Sequence, residues 1–288
     1  MEEKMPDLEP TVATTTKTGG RFFTRFTRQQ RYMHAVLFTT FLGLAGTGLP
    51  LRFSESIWAR GLARGVGGFG AILFFHKLCA VVLTIAFLIH LKEIFTRGIV
   101  HREMGVFWGS NSMVANWKDA KDLFGHLRWF VGLGPKPNFD RYAYWEKFDY
   151  WAVFWGMIVI GFSGYAMWFA PFFAHFLPGW ALNAVLVIHS EEGLLAILFI
   201  FSIHFVNTHL RPDSFPMDMV VFTGVESEEE FKLKRPLEYE RLKREGKLEG
   251  RLGEAPQTWL INFSRVVGTI AIVIGLTLLV LTLTAYFS

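Results

Sequence analysis

The sequence predicts an all-α integral membrane protein, with four transmembrane helices gathered in a bundle and a fifth at the C-terminal end. Three observations carry that reading. Of 288 residues, 51% are hydrophobic and 16% aromatic, and mean hydropathy is +0.30, which fits a chain bathed in lipid better than a soluble one. Five apolar runs are long enough to cross a bilayer. Two of those runs carry histidines at matching depths.

A spanning helix needs about twenty mostly apolar residues, because it rises about 1.5 Å per residue through a hydrocarbon core about 30 Å thick. The qualifying runs are 31–51, 71–91, 150–170, 182–206 and 266–287. They divide the chain into a cytoplasmic tail (1–30), a four-helix bundle (31–209) with a cytoplasmic loop at 92–149, a charged cytoplasmic segment (210–265) and an extra span (266–288). Residues 1–20 are polar and Thr-rich without an apolar centre, so they read as a disordered tail and not as a signal peptide.

Orientation follows from Lys and Arg, which short loops retain on the cytoplasmic side. Arg21, Arg25 and Arg28 precede the first span, and nine Lys and Arg from Lys92 to Lys147 follow the second. Between the first two spans there are only Arg52, Arg60 and Arg64, and residues 171–181 have no Lys or Arg. The N-terminus is therefore expected in the cytoplasm and Ser288 on the opposite side of the membrane. The same distribution turns a pI of about 9.2 into a topology signal and excludes a nucleic-acid partner. Cys79 is the single cysteine, so there is no disulfide framework and no C-x-x-C-H for covalent haem.

Two extramembrane stretches stand out. Residues 113–131 alternate Trp117, Leu123, Phe124, Leu127 and Phe130 with charges in a helical rhythm suited to a membrane surface. Residues 226–254 are dense in Glu, Lys and Arg and suit an exposed helix or a docking segment.

His76 and His90 are fourteen residues apart in the second span, and His189 and His204 fifteen apart in the fourth. At about 100° per residue such separations return to nearly one helix face, at depths about 21–23 Å apart. His76 and His189 fall toward the outer surface, and His90, His204 and His34 toward the cytoplasm. Ionisable side chains at such depths are costly and point to function. Axial imidazoles from different helices clamp a porphyrin edge-on within a bundle. Gly43, Gly46, Gly48, Gly161, Gly164 and Gly193 supply room for a flat group or a close helix. The expected fold is thus a haem-binding four-helix bundle plus a fifth span, with two b haems. A haem-free membrane anchor or a proton-linked transporter is the rival of another class. His101, His126 and His175 are given no ligand role, and His209 an interfacial or propionate contact.

These residues bring out a family resemblance. The stretches Arg31-Tyr32-Met33-His34 with Thr47-Gly48, His76-Lys77, Tyr144-Trp145-Glu146-Lys147 with Tyr150-Trp151, Gly164 and Trp168, and Ile188-His189 with His204 are similar to the di-haem cytochrome b family that includes the formate dehydrogenase gamma subunit. The run His209-Leu210-Arg211-Pro212 through Phe215-Pro216-Met217 looks like a branch found beside multihaem c-type cytochromes. The resemblance implies an outer haem on His76 and His189 and a cytoplasmic haem on His34 and His204. The spacings also resemble the cytochrome b of bc complexes, where His90 would replace His34; His90 is equally open to a third haem or a quinone contact.

The family likeness further implies a menaquinone or ubiquinone site near the cytoplasmic haem, with Tyr144, Glu146, Lys147 and His90 as candidates. Lys77 is a candidate partner for a haem propionate, since a buried ammonium needs an anion. The expected function is electron relay between the quinone pool and a periplasmic multihaem cytochrome c, as one subunit of a quinol oxidoreductase complex with no catalytic residues of its own. A quinone-reducing gamma subunit beside dehydrogenase or iron-sulfur subunits is the alternative.

Overall fold

The computed structural model describes residues 20–212 and 214–287; residues 1–19 of the expected N-terminal tail, and the expected terminus Ser288, lie outside the described residues. Strand β1 (Phe22–Thr24) leads into α1 (Arg28–Arg52). Thr27 starts this helix: its hydroxyl accepts from the Gln30 N–H, and the Gln30 side chain accepts from the Thr27 N–H. Helix α2 (Ile57–Val66) begins at Ser56 and stops at Gly67, whose φ of +100° suits a residue without Cβ. Then α3 (Phe69–Phe95) returns and continues into a π-helical turn, Thr96–Val100.

After a loop come α4 (Trp117–Phe130), α5 (Tyr144–Trp168), the single turn α6 (Ala170–Phe173) and α7 (Gly179–Phe199). Two π-helical turns, Ile200–His204 and Val206–Leu210, extend α7. The chain then forms α8 (Val220–Thr223), β2 (Val225–Ser227), α9 (Glu228–Lys234), α10 (Pro236–Arg244), β3 (Leu252–Gly253) and α11 (Thr258–Phe287).

Five helices are long and apolar enough to cross a membrane: Arg28–Arg52, Phe69–Val100, Tyr144–Trp168, Gly179–Leu210 and Thr258–Phe287. They match the five expected spans; each starts earlier than expected, and the third ends at Trp168, before its expected end. Helix α5 starts at Tyr144 because Glu146 reaches back to the Ala143 N–H at 2.8 Å. Large apolar side chains face outward along these helices; Leu88, Phe162, Val187 and Val280 are all more than half exposed. Such a surface would aggregate in water and is at home in lipid.

Helix α1 packs along α3, and α5 along α7, while contact between the two hairpins is sparser. Between them lies a cavity of about 1860 Å³, well above the roughly 300–1,000 Å³ of an ordinary small-molecule pocket. Helix α11 lies against α1, α8 and the π-helical part of the fourth span. Two glycines form its notches. A Cβ at Gly275 would come within 2.7 Å of Phe205 and 2.8 Å of Phe201, and one at Gly268 would overlap Met217.

The sequence assigns residues 1–30 to a tail, but β1 is instead the centre of an antiparallel sheet of order β2-β1-β3. Phe23 is fully buried and joins Phe231, Tyr239, Leu242 and Leu248 in a small core. The charged segment after the fourth span is therefore a folded cap. Two pairs tie it to the bundle, Arg25 to Glu146 at 3.1 Å and Arg141 to Glu238 at 2.8 Å, while Arg235 and Glu226 pair within the cap itself. Helix α4 is fixed to the base of α5 by Lys147 and Asp119 at 2.9 Å, while Trp117, Phe124 and Phe130 remain exposed.

Candidate functional site

The end of the bundle that carries the cap is the cap side, and the opposite end the far side. On the far side, His76 of α3 faces His189 of α7 across the gap between hairpins, with ring centroids 6.2 Å apart and planes at 77°. Both rings are held at Nδ1. Thr47 donates its hydroxyl to the Gly43 carbonyl at 2.6 Å, which leaves its oxygen to accept from His76 Nδ1 at 2.9 Å. His189 Nδ1 lies 3.0 Å from the carbonyl oxygen of Ile160 and 3.2 Å from Ser163 Oγ. A carbonyl only accepts, so His189 carries its proton on Nδ1. In both rings Nε2 keeps the lone pair, the tautomer that a metal ligand requires.

The two hydroxyl residues are each followed by a glycine, and the glycine makes room for the ring. A Cβ at Gly48 would sit 3.2 Å from His76 Cε1, and one at Gly164 would sit 2.9 Å from His189 Cε1. Thus Thr47-Gly48 on α1 and Ser163-Gly164 on α5 act alike, each cradling the histidine of the neighbouring helix.

On the cap side, His34, His204 and His209 line the same cavity, and His34 is close enough to both others to interact with them electrostatically. His204 Nδ1 contacts Asp149 Oδ2 at 2.9 Å, a carboxylate partner that leaves Nε2 as the available nitrogen. His209 was expected just past the fourth span but lies within it. In an α-helix residues five apart point about 140° away from each other. The π-helical turn Val206–Leu210 brings the His209 and His204 rings to 6.4 Å, and His209 Nδ1 is buried with no hydrogen-bond partner among the described residues. The turn Ile200–His204 likewise absorbs the extra residue in the fifteen-residue spacing of the fourth span.

His90 has a different neighbour: its Nε2 lies 3.0 Å from the Tyr150 hydroxyl, against the ring of Phe154. The other quinone candidates hold the structure together. Tyr144 contacts His126 Nδ1 at 3.1 Å, Glu146 pairs with Arg25, and Lys147 pairs with Asp119. Lys77 lies over the Trp168 ring at 4.8 Å, and Arg52 pairs with Glu191 at 2.8 Å. Asp149 has no role in the sequence-derived site, Tyr150 enters it only through the family resemblance, and His209 only as an interfacial or propionate contact. Only the fourteen- and fifteen-residue histidine spacings hint at the register that groups them.

No family model matches the chain, and no curated protein matches it.

The residues can be tested for fit to the haem that the sequence implies. Two imidazole nitrogens, each about 2 Å from one metal, put ring centroids about 6 Å apart, and the far-side pair stands at 6.2 Å. Among the described residues no three His, Cys, Asp or Glu side chains gather to hold a bare ion. The far-side pair, bonded at Nδ1, leaves both Nε2 atoms to a group between the two rings. The spacing of the far-side pair is compatible with that group.

Proposed function

We propose that this chain is the cytochrome b subunit of a respiratory complex, relaying electrons between the quinone pool and a periplasmic redox protein. The observation that carries the reading is the facing of His76 and His189 across two helix hairpins, both fixed at Nδ1. In the proposed assignment His76 and His189 hold the far-side haem, and His34 and His204 the cap-side haem. When bound, haem supplies reversible one-electron chemistry. Thr47, Ser163 and the Ile160 carbonyl fix the far-side ligand rings, and Asp149 fixes the orientation of the His204 ring. The hydrocarbon walls exclude water.

With the positive-inside rule applied, the cap side faces the cytoplasm and the far side the periplasm of a bacterial inner membrane. A multihaem cytochrome c is the proposed partner at the far side, and a lipid-soluble menaquinone or ubiquinone the substrate near the cap side. Separating α11 from the ligand set leaves the first four spans as the haem bundle.

A reduced-minus-oxidised spectrum of the purified protein, with a pyridine haemochrome count, tests the assignment. Two haems per chain and a sharp b-type α band are expected. A preparation from a haem-replete membrane without that band would exclude the cytochrome reading in favour of an anchor or transporter.

A further inference from the structure

The five long apolar helices carry few acids, and nearly all of these are paired. Glu93 has Arg97 at 3.8 Å, Glu146 has Arg25 at 3.1 Å, Asp149 has His204 at 2.9 Å and Glu191 has Arg52 at 2.8 Å. Glu192 differs: it has no cation or imidazole partner among the described residues, and its Oε2 accepts from Trp155 Nε1 at 3.2 Å. It is also the deepest of these acids, about 20 Å along the helix from the start of the span Gly179–Leu210. A half-buried carboxyl at that depth meets hydrocarbon on its open side, so it is costly there and points to function.

Its position ties it to the far-side imidazoles. Glu192 follows His189 by three residues on α7, a spacing that puts both side chains on one helix face, and both line the cavity. The other charged or titratable groups on this part of the wall are already engaged. Arg52 of α1 bonds Ser190 and Glu191. On α3, Lys77 lies over the Trp168 ring and His76 is bonded to Thr47, while Tyr165 of α5 donates to Thr84 at 3.0 Å. Helix α11 brings Gly268, Ala271 and Ile272 to the cavity, none of them titratable. When a charge arrives between His76 and His189, the group left to answer it is Glu192. A carboxyl changes its charge by binding a proton, here at Oε1, the oxygen that Trp155 leaves unbonded. Ser190 and the exposed Glu191 continue a line of polar groups toward the far side.

We infer that Glu192 is the proton-binding group of a redox-linked site, taking one proton at Oε1 for each electron that enters the far-side haem and returning it when the electron leaves for the periplasmic partner. The electron comes from the quinol pool and the proton from water. One adds a negative charge and the other removes it, so the net charge of the cavity is unchanged. The inference rests on the cytochrome reading and adds to it a coupling of electron to proton.

Redox titration of the purified protein at a series of pH values reads the coupling. The far-side reduction equilibrium is expected to shift by about tenfold per pH unit at full coupling, equivalent to about 59 mV. Glu192→Gln, which keeps an oxygen to accept from Trp155, is expected to remove that dependence with haem content unchanged. A Glu192–Trp155 link that merely holds α5 to α7 predicts the same slope in both proteins. That result, or a far-side potential independent of pH in the unaltered protein, would overturn the inference. A second measurement needs no variant: dicyclohexylcarbodiimide, an apolar reagent that adds to protonated carboxyls, should modify Glu192 several-fold faster in the reduced protein than in the oxidised one, scored by mass spectrometry of the peptide. Equal rates would also overturn it. Absence of a b-type band would remove the cytochrome reading and the coupling together, whereas a normal band with a flat pH response removes the coupling alone.

Discussion

The Asp149 carboxylate on α5 and the His204 imidazole on the π-helical turn that extends α7 lie 2.9 Å apart through Nδ1. Replacing Asp149 with Asn keeps the volume but removes the charge that holds this tautomer. We expect Asp149→Asn to weaken cap-side haem retention by about 10–100-fold, the usual effect of losing a ligand's outer partner. Haem loss to a competing apo-protein, followed at the α band, measures it. The far-side haem should be lost at the unaltered rate.

His76→Ala and His189→Ala are expected to abolish the same haem, each reducing the count from two to one. Redox titration identifies the survivor by its potential. Variants that left behind different haems would separate the two residues into different sites.

The glycine cradles predict a graded series. A methyl group at position 164 meets the His189 ring at 2.9 Å and one at position 48 meets the His76 ring at 3.2 Å. Gly164→Ala should therefore disturb the far-side haem spectrum more than Gly48→Ala. Valine at either position should cost about 1–3 kcal/mol in thermal stability, read as a shift in the unfolding midpoint of the holoprotein.

Helix α11 bears on the cap-side site through the rings that fill its notch. Gly275→Val pushes Phe201 and Phe205, the residues flanking His204 along the π-helical turns, because its Cβ alone would come within 2.8 Å and 2.7 Å of them. The expected result is a shifted cap-side haem potential with an unchanged far-side potential. Equal displacement of both would make α11 a general packing element.

A pH effect is expected in the cap. Burial by itself raises the Asp218 carboxyl, but Lys234 at 3.0 Å, the Val220 N–H at 2.8 Å and nearby Arg235 outweigh it and hold the group below the ordinary carboxylate value. An acid depressed on folding stabilises the fold when pH is above its unfolded value, about 4, and the contribution fades as pH falls through the folded value. Protease resistance of the cap should drop in that acidic window. Asp218→Asn should flatten the dependence and cost about 1–3 kcal/mol near neutrality.

Much of the membrane architecture was legible because hydropathy and length act locally: each span announces itself in some twenty residues. Helical periodicity gives His76 and His189 each a face and a depth, but which imidazole each one meets rests on the family resemblance. The cap was not. Its core draws Phe23 from one end of the chain and Phe231, Tyr239, Leu242 and Leu248 from the other, and a three-residue strand such as Phe22–Thr24 has too little pattern to detect. Nor do π-helical turns carry a compositional mark, so the convergence of His209 on His204 stayed hidden. Lys147 and Glu146 looked available for chemistry because their partners Asp119 and Arg25 are distant in sequence.

The central position of β1 has a consequence for biosynthesis. Its two flanking partners, Val225–Ser227 and Leu252–Gly253, emerge from the ribosome only after four hydrophobic segments have entered the bilayer. The earliest strand to be made must wait for the latest of its mates, so sheet closure acts as a late checkpoint that seals the cap after insertion of the bundle.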